Sequence, residues 1–187
     1  MRVANVKPEE LVTQALALGT NGCIGIAYTY NEPLVSWEYV RDTALLAREA
    51  GLVNVLVSNG MATEAVVREV APLMDAANID LKGPDQVFYD KVGGSFEATC
   101  RTIELLVEAG CHTEVTTLVV PGMNDDLSGI DSMASWLASV DPDITYHLTR
   151  FFGRHLMSHV QATPIQTLAQ AKRVASAHLD HVLLGNV

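Results

Sequence analysis

The stretch Gly51-Leu52-Val53-Asn54-Val55-Leu56-Val57-Ser58-Asn59-Gly60 carries the architecture of the chain in miniature. Gly51 closes a long amphipathic helix over Leu34 to Ala50, as a glycine in the left-handed C-cap position does. Val53 to Val57 is a short apolar, β-branched run, which reads as a buried strand. Ser58-Asn59-Gly60 then breaks the run with turn residues. Helix, glycine, buried strand and polar strand end is the pattern of a parallel α/β unit.

Reading outward from this unit finds the pattern on both sides. Pro8 to Leu18 begins Pro8-Glu9-Glu10, a proline and acids placed for a helix start. Cys23 to Tyr28 follows as a strand. Beyond Gly60 come a helix over Thr63 to Val70 with Thr63 as N-cap, a strand over Ala76 to Leu81, and a helix over Phe96 to Ala109 closed by Gly110. A β-branched strand over His112 to Val120, a helix over Leu127 to Val140, a strand over Ile144 to Arg150, a helix over Pro164 to Ala177 and a strand over His181 to Leu184 complete the series. The apolar strands predict a mostly parallel sheet with both faces covered. An open or partial (β/α) barrel and a doubly wound sheet both suit this order. A closed eight-fold barrel typically needs about 250 residues, and this chain has 187. No linker, repeat or low-complexity tract divides it, so residues 1–187 read as a single domain.

Composition limits the function classes. Apolar residues make up 49% of the chain, enough for a sizeable core. The 22 acidic residues against 12 basic ones give a net charge of -10, a field that repels nucleic-acid backbones. No apolar run has the length of a membrane span and the first residues lack a signal-peptide core, so a cytoplasmic location is expected. The cysteines Cys23, Cys100 and Cys111 are too scattered for a disulfide framework or a close-set thiolate cluster, and read as small buried hydrophobes.

In parallel α/β folds, ligands bind at the carboxyl ends of strands. Polar residues concentrate there: Tyr28-Thr29-Tyr30-Asn31-Glu32-Pro33, Ser58-Asn59-Gly60, Asp80-Leu81-Lys82-Gly83, Thr116-Thr117 with Val119-Val120-Pro121-Gly122, and His147 with Thr149-Arg150. Each has a plainer reading beside the functional one. Asn31-Glu32-Pro33 suits a helix start, Ser58-Asn59-Gly60 a turn, Asp80 and Lys82 an ion pair on one face, and His147 a satisfied core histidine. Together they suit a polar zwitterion, with Glu32 for an ammonium and Lys82 or Ser58 for a carboxylate.

The ordered set of these motifs, with Asn78-Ile79-Asp80-Leu81-Lys82-Gly83, Val119-Val120-Pro121-Gly122-Met123-Asn124-Asp125, Tyr146-His147-Leu148-Thr149-Arg150-Phe151 and Gly185-Asn186-Val187, resembles the radical S-adenosylmethionine superfamily. Within it the chain is similar to pyruvate formate-lyase activating enzymes, and more narrowly to the AmmeMemoRadiSam system radical enzyme. The resemblance implies a partial TIM-type barrel. It implies a [4Fe-4S] cluster that donates an electron to S-adenosylmethionine, giving a 5′-deoxyadenosyl radical that takes hydrogen from a protein or small-molecule substrate. By the same resemblance Glu32 accepts from the methionyl ammonium, and Ser58 and Asn59 contact the methionyl carboxylate and nearby groups. Lys82 lies near that carboxylate with Asp80 at a cation beside it, His147 reaches the ribose, and Val119 and Val120 lie near the adenine.

One departure is large. The family's CxxxCxxC cluster loop is absent from this sequence, and Cys23, Cys100 and Cys111 do not match its spacing. The expectation is a fragment that lacks the first strand and cluster loop, keeps the S-adenosylmethionine side, and is inactive alone. Phe152-Gly153-Arg154-His155 also departs from the proline and tyrosine common there. The main alternative is a cluster-less pseudoenzyme acting as a binding module. A glycoside hydrolase through Asn31-Glu32-Pro33 requires a second carboxylate about 5–5.5 Å away, and no late strand end supplies a glutamate. A Schiff-base lysine at Lys82 is disfavoured by Asp80, which keeps the amine charged. His155 and His159 suit a metal only on a helix with a third ligand.

Overall fold

Parallel strands that succeed one another in chain order, each returned by a helix, curl into a barrel wall. The computed structural model describes residues 5–187 and has this form. Helix α1 (Pro8–Ala17) precedes β1 (Gly25–Tyr28), followed by α2 (Trp37–Glu49), β2 (Val53–Ser58), α3 (Glu64–Val70) and β3 (Ala76–Asp80). Then come α4 (Gln86–Val92), α5 (Phe96–Glu108), β4 (His112–Val119), α6 (Leu127–Val140), β5 (Thr145–Arg150), α7 (Ile165–Ala175) and β6 (Val182–Gly185). Every neighbouring pair is parallel and the sheet order is β1-β2-β3-β4-β5-β6. The end strands do not pair with each other, so the architecture is an open partial barrel.

Alternate residues along each strand separate two environments. Ile26, Leu56, Ile79, Val115 and Leu148 are buried on the convex side, where Val40, Ala44, Ile103, Leu106 and Leu137 of the helices enclose them. The opposite row holds Asn78, Asp80, Glu114, Thr116, His147 and Thr149, all half-buried, with Leu118 and Leu183 exposed. A one-residue slip would exchange the rows, at roughly 1.5–3 kcal/mol for each large apolar side chain moved to water. That penalty fixes the register.

The structure corrects several sequence-based expectations. Only the convex sheet face is covered by helices; the concave face is the barrel interior and is partly open. Residues Pro33–Ser36 form a 3-10 turn ahead of α2, because Glu32 caps the chain there and bonds Leu34 N. Leu81 and Lys82 lie beyond β3. Helix α4 was not expected at all. It is capped by Asp85, whose Oδ1 accepts from Phe88 N at 2.8 Å, and closed by Gly93 at φ 78°. Among the described residues no helix is long and apolar enough to cross a membrane.

Fully buried Asn54 ties β1, β2 and the helix layer together. Its Oδ1 accepts from Tyr28 OH at 3.0 Å, and its Nδ2 donates to Ala44 O at 3.0 Å and Leu73 O at 3.1 Å. Asn54→Ala strands a buried hydroxyl and two carbonyls. It is expected to cost about 2–4 kcal/mol, read as a lower urea midpoint with an unchanged m-value.

Candidate functional site

The site is built where the chain leaves β1, β2, β3 and β4. Glu32, just after β1, is the centre of the first half. Its Oε1 accepts from Ser58 Oγ at 2.7 Å and Leu34 N at 3.1 Å, and its Oε2 accepts from Asn59 N at 2.7 Å. A carboxylate offers about four acceptor positions, so one on Oε2 is left for an outside donor. Ser58 is committed to this tie, since its Oγ also accepts from Gly60 N at 3.0 Å. Asn59 Oδ1 accepts from Met61 N at 2.8 Å, which shapes the turn. Gly60 stands at φ 70°, and a Cβ there would come within 2.9 Å of Ile79, so the turn requires glycine.

Asp80 and Lys82 form the second half. Lys82 Nζ lies 2.9 Å from Asp80 Oδ2, with the two side chains 40% and 45% exposed. A pair this open contributes about 0–1 kcal/mol, so a ligand carboxylate can take Lys82 from Asp80 at small cost. The backbone beneath is held firmly. Asn124 Nδ2 donates to Lys82 O at 2.8 Å and Leu118 O at 2.9 Å, while its Oδ1 accepts from Val120 N at 2.6 Å. Lys82 N donates to the buried Tyr89 OH of α4 at 3.1 Å.

Two cavities meet at Asp80 and Lys82. One of about 330 Å³ is polar and lined by Asn31, Glu32, Ser58 and Asn59. The other, about 400 Å³, is largely apolar and lined by Phe88, Leu118, Val120, Met123 and Phe151, with Thr116 and Thr149. A polar chamber joined to an apolar one suits a ligand with a charged end and an apolar, ring-bearing end. A larger depression of about 480 Å³ lies outside the barrel between α3 and α5. Its charges are already closed on one another, with Arg101 bonded to Glu64, Glu104 and Glu108. The strand-end pair of cavities is therefore the better candidate.

The expected site residues divide on this geometry. Glu32, Ser58, Asn59, Asp80 and Lys82 line one chamber together, and Val120 lines the next. Val119 does not join them: it belongs to the convex row and is fully buried among helix residues. His147 lies deeper on the concave face, bonded to Glu114. Asn124, Tyr89 and Glu114 are not among the residues that sequence points to for the site, although Asn124 sits in the quoted Pro-Gly-Met-Asn motif.

The chain itself is the measure of an iron–sulfur centre, and its thiols do not fit one. Cys23 precedes β1 and Cys111 precedes β4, at the rim opposite the cavities, while Cys100 is packed inside α5. Burial pushes the Cys100 thiol up to about 12 and the Cys111 thiol up to about 11. Metal-binding cysteines are thiolates with lowered values. Among the described residues no cluster of His, Cys, Asp and Glu is arranged for a metal ion, and His155 lies in a 3-10 turn.

Comparison with known proteins decides the family. The Radical SAM superfamily pattern matches residues 2–130. The chain belongs to the radical SAM superfamily. It is 35% identical over 183 residues to an uncharacterised protein of Methanocaldococcus jannaschii, covering 96% of this chain and 53% of that one. It is 31% identical over 111 residues to 7-carboxy-7-deazaguanine synthase of Thermococcus kodakarensis, covering 59% of this chain and 44% of that one. The chain thus spans about half the length of the curated relatives it matches. A domain of pyruvate-formate lyase-activating enzyme from Bacteroides vulgatus shares the fold with TM-score 0.75 at 20% identity, over 87% of this chain and 99% of that one. Streptococcus suis SuiB bound to S-adenosylmethionine has TM-score 0.76 at 9% identity, over 98% of this chain and 44% of that one. These two structures bear out the open α/β barrel read from the sequence.

Thiol accessibility checks the placement of the cysteines. At pH 8 the folded protein should label at half-buried Cys23 first, with Cys100 and Cys111 protected until denaturant is added. A raised thiol value means that the reactive thiolate gains population only as pH approaches 11 to 12. Fast labelling of all three sites in the folded state would contradict the packing described.

Proposed function

We propose that this chain carries the S-adenosylmethionine-binding surface of an activating-enzyme-like radical SAM protein. The observation that carries the reading is the shared rim on which the Glu32 carboxylate and the Lys82 ammonium line one polar chamber beside an apolar one. A methionyl zwitterion needs an anion for its ammonium and a cation for its carboxylate, held apart by a fixed frame. The free acceptor position on Glu32 Oε2 takes the ammonium. Lys82 takes the carboxylate, and Asn59 borders both. Ser58 acts through Glu32 by holding its carboxylate in place. Asp80 keeps Lys82 extended over the chamber before the ligand arrives. Val120 and the apolar chamber receive the adenosyl end.

Reductive cleavage to a 5′-deoxyadenosyl radical is the chemistry a [4Fe-4S] cluster supplies in this superfamily when bound. The thiols at positions 23, 100 and 111 do not suit such a cluster, so no step of that reaction is assigned to this chain's residues. Their placement favours a second reading, a cluster-less binding module. We further read the protein as cytoplasmic, acting on a protein or small molecule rather than on nucleic acid or membrane, in keeping with its acidic charge.

Titration calorimetry with S-adenosylmethionine tests the binding reading. Wild type should bind, and Lys82→Ala should weaken binding by about tenfold or more, the size of one charged hydrogen bond. No heat with wild type, or wild-type affinity in both Lys82→Ala and Glu32→Ala, overturns it. The second reading is separated by anaerobic iron–sulfide reconstitution followed by dithionite. This chain should yield no 5′-deoxyadenosine, and its formation with stoichiometric iron would restore the enzyme.

A further inference from the structure

Charge is unevenly spread along the chain. Residues 144–179 hold Arg150, Arg154, Lys172 and Arg173, four of the 12 basic residues, and none of the 22 acidic ones. Arg154, Lys172 and Arg173 are exposed, whereas Arg150, the last residue of β5, is half-buried. Arg41 and Arg101 are the other half-buried arginines among the described residues. Both are closed on carboxylates, Arg41 on Asp42 and Arg101 on Glu64, Glu104 and Glu108. Arg150 pairs with no carboxylate among the described residues.

Its guanidinium is nevertheless held in place. Nε donates to Thr163 O at 2.8 Å, and Cζ lies 4.8 Å from the ring centre of Phe152. Thr163 is itself fixed and fully buried. Its N donates to Phe151 O at 3.1 Å, and its Oγ1 accepts from Phe151 N at 2.9 Å and donates to Val119 O at 2.6 Å. A guanidinium donates from Nε and from both Nη atoms. Nε is spent on Thr163, and the Nη1 and Nη2 donors meet no acceptor among the described residues. A fork held in one plane with its outer donors free matches the paired oxygens of a carboxylate or phosphate. Fastening β5 to the segment before α7 takes one neutral donor, and gives no reason for a half-buried charge without a counter-ion.

We propose that Arg150 anchors an anion subsite that grips a carboxylate or phosphate group of the substrate. Its chain neighbours Thr149 and Phe151 both line the apolar chamber, as does Met157 of the following loop, so the rest of such a ligand lies at the border of that chamber. That the anion belongs to the substrate rests on the S-adenosylmethionine reading, in which the adenosyl end fills the chamber and Lys82 takes the methionyl carboxylate. Two sources carry the group, a free small acid and an acidic side chain of a protein.

NMR titration at constant ionic strength, without S-adenosylmethionine, tests the subsite with inorganic phosphate, succinate and the capped peptide acetyl-Ala-Glu-Ala-amide. Wild type should show saturable shifts at Arg150 Nε–H and at the Phe152 and Thr163 amides. Arg150→Gln should weaken binding by about tenfold or more, the size of one charged hydrogen bond. Phe152→Leu keeps the guanidinium but removes the ring beside it, and should weaken binding about two- to fivefold. Arg154→Gln, in the same loop, should stay within about twofold of wild type. Tighter binding of the peptide than of succinate points to a protein substrate and the reverse to a small acid; either supports the subsite. An absence of saturable shifts in wild type, unchanged affinity in Arg150→Gln, or an equal loss in Arg154→Gln overturns it. S-adenosylmethionine affinity should stay within about twofold of wild type in Arg150→Gln; a loss of about tenfold places Arg150 in the cofactor site and also overturns the proposal. Dispersed amide spectra of each variant check the fold. If wild type binds an oxyanion but no S-adenosylmethionine, the subsite stands, while its assignment to the substrate falls with that reading.

Discussion

The two-residue repeat of a parallel strand is the constraint on which everything else rests. Each strand sends one row of side chains into the helix layer and the other into the barrel interior. Ile79 and Val115 hold the wall because they fall in the first row. Asn78, Asp80, Glu114 and His147 reach a common space because they fall in the second. Parallel pairing adds that all six strands end at the same rim. No loop has to travel far to bring Glu32, Asn59 and Lys82 to one chamber.

The rim combines two kinds of attachment. Glu32 with its three donors and Asn124 with its three bonds hold the backbone through short, mostly sheltered hydrogen bonds. Such bonds resist change because a broken one leaves a part-buried or buried group short of a partner. The Asp80–Lys82 pair is half-exposed and weak by comparison. The frame is thus rigid where geometry must persist and yielding where a charge must change partners.

Much of this was legible in the sequence because the strands are short apolar runs with polar ends, and the longer helices repeat with a helical period. Helix α4 was missed because seven residues are too few to show that period, and its buried pair, Phe88 and Tyr89, are adjacent. Asp85 and Gly93 were the available signals, as cap and stop. Val119 and Val120 were read together, yet neighbours on a strand face opposite ways and only one can line a chamber. Glu114 sits early in its strand, away from the strand end where sequence points to a site, and its partner His147 lies a full βα unit later, so only the β4–β5 register brings them together. Cys100 and Cys111 are buried as the sequence suggests, whereas Cys23 is only half-buried and its thiol donates to Gly25 O.

The order of the strands has a consequence for how the molecule assembles. Each strand pairs with the one made just before it, so no contact of the sheet waits for a distant part of the chain. Each loop closure spans one βα unit, so its entropic cost does not grow as strands are added. The wall can grow unit by unit as the polypeptide emerges during synthesis. The rim forms in the same direction: Glu32 waits only for Ser58 and Asn59, and Lys82 only for Asn124. A ligand chamber would then exist at the leading strands before the trailing ones have docked.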